Sequence, residues 1–281
     1  MAFSAPPGAG DYSSRVLCRV KQLAQAGVWD IPVERLVGWY DGFTGNEQIY
    51  FASCLLDSLI YRTPGQFSAS LVSLYRGACG HAAAETIHLE HDMSLVSMLR
   101  GRYQDPQIRL VPVICDSDPP SKSGPLVMRR LKKDLGICEK WMIWPWQIEH
   151  AVARGTKLIV LVDDMLGSGR QLEDFCSKQQ LKQVTKGAAV IYAPVVAHKS
   201  GIDHLKTVWP ELNVVTTELL TEEHGFFSAR NWEIFSSGKI SPDNAIDYYR
   251  EEILPLTGFN KSKTSVPELG YGELALSFGF L

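Results

Sequence analysis

The stretch Leu158-Ile-Val-Leu-Val-Asp163-Asp164-Met-Leu-Gly167-Ser168-Gly169-Arg170-Gln171-Leu172 constrains this chain more than any other. Five apolar residues, three of them β-branched, have the pattern of a strand buried on both faces, the habit of a parallel sheet covered by helices. Two carboxylates stand where that strand should end, at Val162. Gly167-Ser168-Gly169 makes a tight turn, and Gln171-Leu-Glu-Asp-Phe175 opens a helix. A glycine turn running into a helix offers backbone N–H groups and the positive end of the helix dipole to a phosphate. Adjacent carboxylates accept hydrogen bonds from vicinal hydroxyls. Strand, acidic pair and turn together predict a sugar-phosphate site.

The chain around this stretch alternates. Ile108–Cys115 reads as a strand, with a proline suited to an edge or a bulge. Gly124–Leu135 reads as loop into helix, Trp141–Trp146 as an extended segment and Ile148–Arg154 as a short helix. Gly169–Leu181 (helix), Ala188–Ala197 (strand), Ile202–Val208 (helix) and Leu212–Leu219 (strand) follow. This βαβα order predicts an α/β fold with a parallel, doubly wound sheet, whose ligands sit beyond the C-terminal strand ends. Before it, apolar stretches read as helices: Val16, Val20, Leu23 and Ala24 at three- and four-residue spacing, then Leu36, Val37, Trp39 and Tyr40, then the stripe Phe51, Cys54, Leu55, Ser58 and Leu59. An N-terminal helical domain over residues 1–102 is expected, its first helix capped by Ser13 or Ser14, then an α/β core over 103–225 and a closing segment over 226–281. The terminal run from Gly270 to Leu281 looks like a strand that must pair with something.

Residues Ile159 to Gly169 resemble the signature with which type I phosphoribosyltransferases bind 5-phosphoribosyl 1-pyrophosphate (PRPP): four apolar residues, two acidic, two apolar, then a small-residue turn with Thr/Ser-Gly. The resemblance implies that Asp163 and Asp164 are the catalytic pair, orienting the ribose 2′- and 3′-hydroxyls directly or through Mg2+. It implies that Gly167, Ser168, Gly169, Arg170 and Gln171 cradle the 5-phosphate. In that family a loop after the first core strand holds pyrophosphate, and Ser121-Lys122-Ser123-Gly124 occupies this place, with Lys122, Ser123 and Gly124 facing the anion. Three departures stand out. Purine-salvage members carry an aspartate where this chain has Gly167, and the family's usual threonine is Gln171 here. The long flexible Lys/Arg loop before the signature is replaced by Trp141-Met-Ile-Trp144-Pro-Trp146, tryptophans that read as core or hood packing or as a stack for a base. The helical front end and the Gly-Tyr-Gly-Glu-Leu-Ala-Leu stretch resemble phosphoribosyltransferase-like proteins of bacterial conflict and anti-phage loci, some of them retron-associated. This implies an effector that transfers ribosyl groups in defence. A catalytically silent module sensing PRPP or a nucleotide through its helical domain is the alternative.

A net charge of −3 with Lys and Arg scattered along the chain excludes a global nucleic-acid footprint. No apolar run approaches the ~20 residues of a membrane span. Six cysteines without a Cys-x-x-Cys pair predict reduced thiols in a cytoplasmic protein. The expected partners are PRPP or a related phosphoribosyl nucleotide, a second copy of the chain, and a protein or nucleoprotein on the helical domain. Arg129, Arg130, Lys132 and Lys133 read as a solvated helix face. His88 and His91, with Glu90 nearby, lack the third ligand of a zinc helix and read as surface polar.

Overall fold

The computed structural model describes residues 3–88, 94–101, 107–119, 122–258, 269 and 278–280. The chain begins with α1 (Ala9–Gln25), α2 (Val33–Tyr40), α3 (Gly45–Ser58), β1 (Ile60–Arg62), α4 (Pro64–Arg76), α5 (Ala78–Ile87) and α6 (Leu95–Arg100). It continues through β2 (Ile108–Pro112), α7 (Ser123–Leu135), α8 (Ile148–Ala153), β3 (Leu158–Leu166), α9 (Arg170–Lys178), α10 (Leu181–Val184), β4 (Ala189–His198), α11 (Lys199–Val208), β5 (Asn213–Val214) and β6 (Glu218–Leu220). α12 (Ala229–Ser236), α13 (Pro242–Tyr248) and β7 (Phe278–Phe280) close it. Two compact units result, Gln66–Leu220 and Met1–Gly65 with Thr221–Leu281.

The first of these is the α/β unit. Its sheet is parallel throughout, in the order β2-β3-β4-β5, with β6 on the same side of β4 farther along the strand. Beyond β2, Met142 makes one parallel bridge to Leu110. Counting that bridge, the chain steps outward from β2, returns past it to β3, and proceeds through β4 to β5. The topological switch therefore falls between β2 and β3, and a doubly wound sheet opens its ligand crevice there. α8, α9, α10 and α11 share one core with Ile159, Leu161, Val190 and Tyr192 of the sheet. α7 packs on β2 and β3, and α5 on β3 and β4, from the opposite face. Coverage on both faces accounts for the unbroken apolar run of β3, every residue from Leu158 to Val162 being fully buried.

Several boundaries differ from those read in the sequence. β3 does not end at the acidic pair but runs on to Leu166, because β4 is long enough to pair with it there. The Trp141–Trp146 segment is two 3-10 turns around the Met142 bridge rather than a strand. Leu212–Leu219 is split into β5 and β6. α4, α5 and α6 belong to the sheet unit, since α5 buries Cys79, Ala82 and Ala83 while packing on β3 and β4. The unit boundaries thus fall away from residues 102 and 225.

In the other unit, α1, α2 and α3 pack through Val16, Val20, Leu36, Tyr40, Ala52 and Leu56; for α1 and α2 these lie on the stripes read in the sequence, whereas α3 uses Ala52 and Leu56 rather than Phe51 and Cys54. Helix α1 starts at Ala9 behind Gly8, with Ser13 buried inside it rather than capping it. Tyr50, Phe51 and Cys54 on the next face of α3 meet Phe226, Trp232, Ile240 and Ala245. Tyr50 donates its hydroxyl to the Phe235 carbonyl at 2.6 Å. β7 pairs in parallel with β1, Ile60 opposite Phe278, so the terminal strand belongs to this unit and not to the five-stranded sheet. Gly270–Ser277 and Leu281, like Glu90, His91 and Ser121, lie outside the described residues. Among the described residues no helix is long and apolar enough to cross a membrane.

Candidate sugar-phosphate site at the β2–β3 switch

β3 pairs with β4 residue by residue from Leu158 to Asp163, skips Asp164, and resumes with Met165 opposite Val196. Asp163 stands opposite Pro194, which has no N–H to give a ladder. At this interruption the carboxylates take over. Asp164 N–H donates to Asp163 Oδ1 (3.0 Å), and Met165 N–H donates to Asp164 Oδ1 (2.8 Å). Pro194 carries a local signal in the sequence, a proline within an apolar strand, that points to this irregularity.

Alternation along the strand sends the two carboxylates to opposite faces. Asp163 lies on the side of Ile159 and Leu161, 2% exposed, and accepts the Tyr192 hydroxyl at 2.9 Å. Burial, and then the neighbouring Asp164 charge, push the Asp163 carboxyl well above the usual carboxylate range, against the Tyr192 hydrogen bond that favours its ionised form. Burial beside Asp163 likewise raises the Tyr192 phenol. Asp164 turns toward α7 and is half-buried, and Ser123 Oγ donates to its Oδ1 at 3.0 Å across 41 residues of sequence. This bond ties the start of α7 to the acidic pair near the end of β3. Asp163 meets neither of the loops singled out in the sequence by its side chain. Tyr192 is the residue that sequence reasoning missed, being indistinguishable from any other aromatic in a buried strand.

Lys122 precedes α7 and is committed to Asp118, Nζ to Oδ2 at 2.8 Å. Asp118 also accepts the Cys115 N–H at 2.7 Å. Burial acts to raise the Asp118 carboxyl, but the Cys115 amide and the Lys122 ammonium outweigh it and hold it below the usual range. Gly124 is buried against the end of β2. A side chain there would begin 3.0 Å from the Val113 carbonyl and 3.3 Å from Pro112 Cβ.

Gly167 and Ser168 are half-buried, and Arg170 and Gln171 are exposed on the first turn of α9. Gly169 takes φ +87°, which a residue with a side chain rarely adopts. α11 leans on this turn. A Cβ on Gly201 would stand 2.1 Å from the Gly167 carbonyl, and one on Gly169 would stand 3.0 Å from His204. His204 Nε2 in turn meets Glu173 of α9 at 2.8 Å. Neither α7 nor α9 has a side-chain cap, whereas the first turn of α11 is closed by His198, whose Nδ1 accepts from Ser200 N–H at 3.2 Å. Two uncapped helix N-termini thus flank the switch point, the arrangement in which backbone amides hold an anion.

The remaining sequence candidates fall elsewhere. Arg129, Lys132 and Lys133 face water, Lys132 paired with Glu139. His88 ends α5, exposed. Trp141 is buried and donates Nε1–H to the Gly101 carbonyl at 3.2 Å, while Trp144 and Trp146 are not buried. A cavity of about 360 Å3 opens between α9, α10 and α11, lined by Glu173, Cys176, Lys182, Leu205 and Trp209 among others, and the acidic pair is not part of it. All six cysteines are free.

A family model, PRTase-CE, matches residues 36–281. The chain belongs to this phosphoribosyltransferase family. No curated protein matches it. The match extends beyond the α/β unit of this PRTase-CE chain to its C-terminal residues and to helix α3. The parallel five-stranded sheet is the α/β core that membership requires.

Proposed function

We propose that this protein binds PRPP, or a related phosphoribosyl nucleotide, at the β2–β3 switch and transfers its ribosyl group to a nitrogen nucleophile. The observation that supports this reading is the Ser123–Asp164 hydrogen bond, which ties the N-terminus of α7 to the half-buried carboxylate near the end of β3, three residues before the Gly167 turn. The first-turn amides of α9 would take the 5-phosphate, those of α7 the pyrophosphate, and Asp164 the ribose hydroxyls. Asp163 then acts from behind, holding the backbone of Asp164 through Oδ1 while Tyr192 holds its other oxygen.

In the reaction the C1–O bond to pyrophosphate breaks, a C1–N bond forms, and the proton of the acceptor nitrogen passes to the departing pyrophosphate or to water. Asp164 is the half-buried carboxylate at the switch point, a donor set that suits a hard ion held chiefly by substrate oxygens and water. Mg2+ bound there would neutralise charge building on the leaving pyrophosphate. Six free thiols agree with a reducing cytoplasm, and the resemblance to conflict-locus proteins supports a role as a defence effector.

The test is calorimetric PRPP binding with and without Mg2+, alongside a PRPP-consumption assay over pooled bases, nucleotides and nucleic acids. Mg2+-dependent binding, weakened about tenfold or more by Asp164→Asn, is expected. Absence of PRPP binding by the folded protein overturns the reading. The burial of Asp163, together with glycine at position 167, favours a second reading, a PRPP sensor without turnover. Saturable binding with no consumption of PRPP in any pool would establish it.

A further inference from the structure

After Met142 bridges Leu110, the chain turns through Trp144-Pro145-Trp146-Gln147. Trp144 and Trp146 are 44% and 57% exposed, with ring centroids 5.2 Å apart and planes inclined by only 7°. Single exposed apolar side chains are ordinary, but two indoles stacked with nearly parallel planes hold each other in place and turn a flat outer face to water. The segment beneath them is fixed. Ile143 N–H donates to the Leu110 carbonyl at 3.0 Å, and Trp144 N–H donates to Gln147 Oε1 at 2.8 Å. Pro145 between the two tryptophans and Ile148 after them are buried. The parallel sense of the Met142 bridge directs the chain toward the C-terminal end of β2 at Pro112, the residue against which Gly124 packs. The indole pair therefore flanks the strand end that also carries the Lys122–Gly124 loop.

The geometry points to the Trp144–Trp146 pair as a stacking platform for the purine base of a nucleotide acceptor. This rests on the ribosyl-transfer reading above, which places the reacting carbon at the same strand ends. The outer face of an indole pair is a flat, bicyclic π surface, and a purine is the nucleobase whose bicyclic ring covers it most completely. The flat outer face of the stack offers nothing extra to an aliphatic side chain, whereas it sets the orientation of a planar ring. Stacking of this kind tolerates either purine, since each presents a π face.

The experiment titrates adenosine and guanosine 5′-monophosphate into the full chain, reading tryptophan emission and calorimetric heat, with PRPP and Mg2+ titrated separately. Both purine nucleotides should quench the emission, and uridine 5′-monophosphate should bind more weakly. Trp144→Ala and Trp146→Ala should each weaken purine binding by roughly 5- to 150-fold. Trp146→Phe, which keeps an aromatic face, should recover most of it, and PRPP binding should persist throughout. Purine affinity unchanged in both alanine variants overturns the platform, as does absence of purine binding to the wild type. Emission that depends on protein concentration without nucleotide also overturns it, because a second copy then covers the rings. Loss of PRPP binding with purine binding intact removes the ribosyl-transfer reading and leaves the platform standing.

Discussion

Gly201→Ala tests whether α11 sets the position of the Gly167–Gly169 turn, which the proposed function assigns to the 5-phosphate. The new Cβ would stand 2.1 Å from the Gly167 carbonyl oxygen and 3.0 Å from Leu166 Cγ, so the turn and the helix must part by about 0.9 Å to reach a 3.0 Å contact. The obstacle is backbone, and no rotamer relieves it. Alanine gains up to about 1 kcal/mol in helix propensity over glycine, while overpacking costs about 1–3 kcal/mol. The net loss of stability is therefore between zero and about 2 kcal/mol, or up to about 8 °C in Tm for a unit of this size. Ligand handling should suffer more. Displacing a positioning element by about 1 Å can cost as much as 100-fold, so PRPP affinity or turnover should fall by about 10- to 100-fold. Thermal melting and PRPP calorimetry on the same sample read both effects, and the disproportion between them is the signature. Gly155→Ala is the control. With φ +102° and open space around its Cβ position, it strains the backbone far from the turn in sequence and should lower Tm without lowering affinity. A Gly201→Ala protein that melts and binds PRPP like the wild type refutes the clamp.

Three further outcomes follow from the described contacts. Burial and Asp164 raise the Asp163 carboxyl, so its contribution to stability is complete below the unfolded value near pH 4 and is lost as pH rises toward the folded value. Asp163→Asn, which resembles the protonated form, should therefore gain stability relative to wild type as pH climbs from 4 to 8. A Tm difference that stays flat or shrinks over that range would contradict the assignment. Asp118 has the opposite sign. Its lowered carboxyl stabilises above the unfolded value and loses that contribution as pH falls, so Asp118→Asn should flatten the acid limb of the stability profile in Tm measured from pH 3 to 6. Tyr50→Phe removes the 2.6 Å hydrogen bond to the Phe235 carbonyl and should cost about 1 kcal/mol in urea denaturation.

The doubly wound sheet was legible because its evidence is local. β3, α9, β4 and α11 each carry their own periodicity, and a run such as Leu158–Val162 has few uses other than a strand covered on both faces. The helical stripe of α1 and α2 was legible for the same reason, one face every three to four residues. The turn at Gly167-Ser168-Gly169 was also visible by composition, whereas Ser123 and Gly124, read as loop, form the first turn of α7. Which compact unit a helix joins was not legible. The packing of α5 on the sheet, and the pairing of β7 with β1, depend on partners far away along the chain.

The acidic pair shows the same division at the scale of two residues. Sequence alone determined that two carboxylates follow a buried strand's apolar run and precede a glycine turn; the structure carries the strand past them to Leu166. Tertiary structure decided that they do different things. Asp163 is drawn under the sheet by Tyr192, Asp164 is turned outward to Ser123, and the ladder between them breaks opposite Pro194. Adjacent residues on a strand must face opposite ways, but what waits on each face is set by whichever helices pack there. That is a property of contacts between segments dozens of residues apart, and no window along the chain contains it.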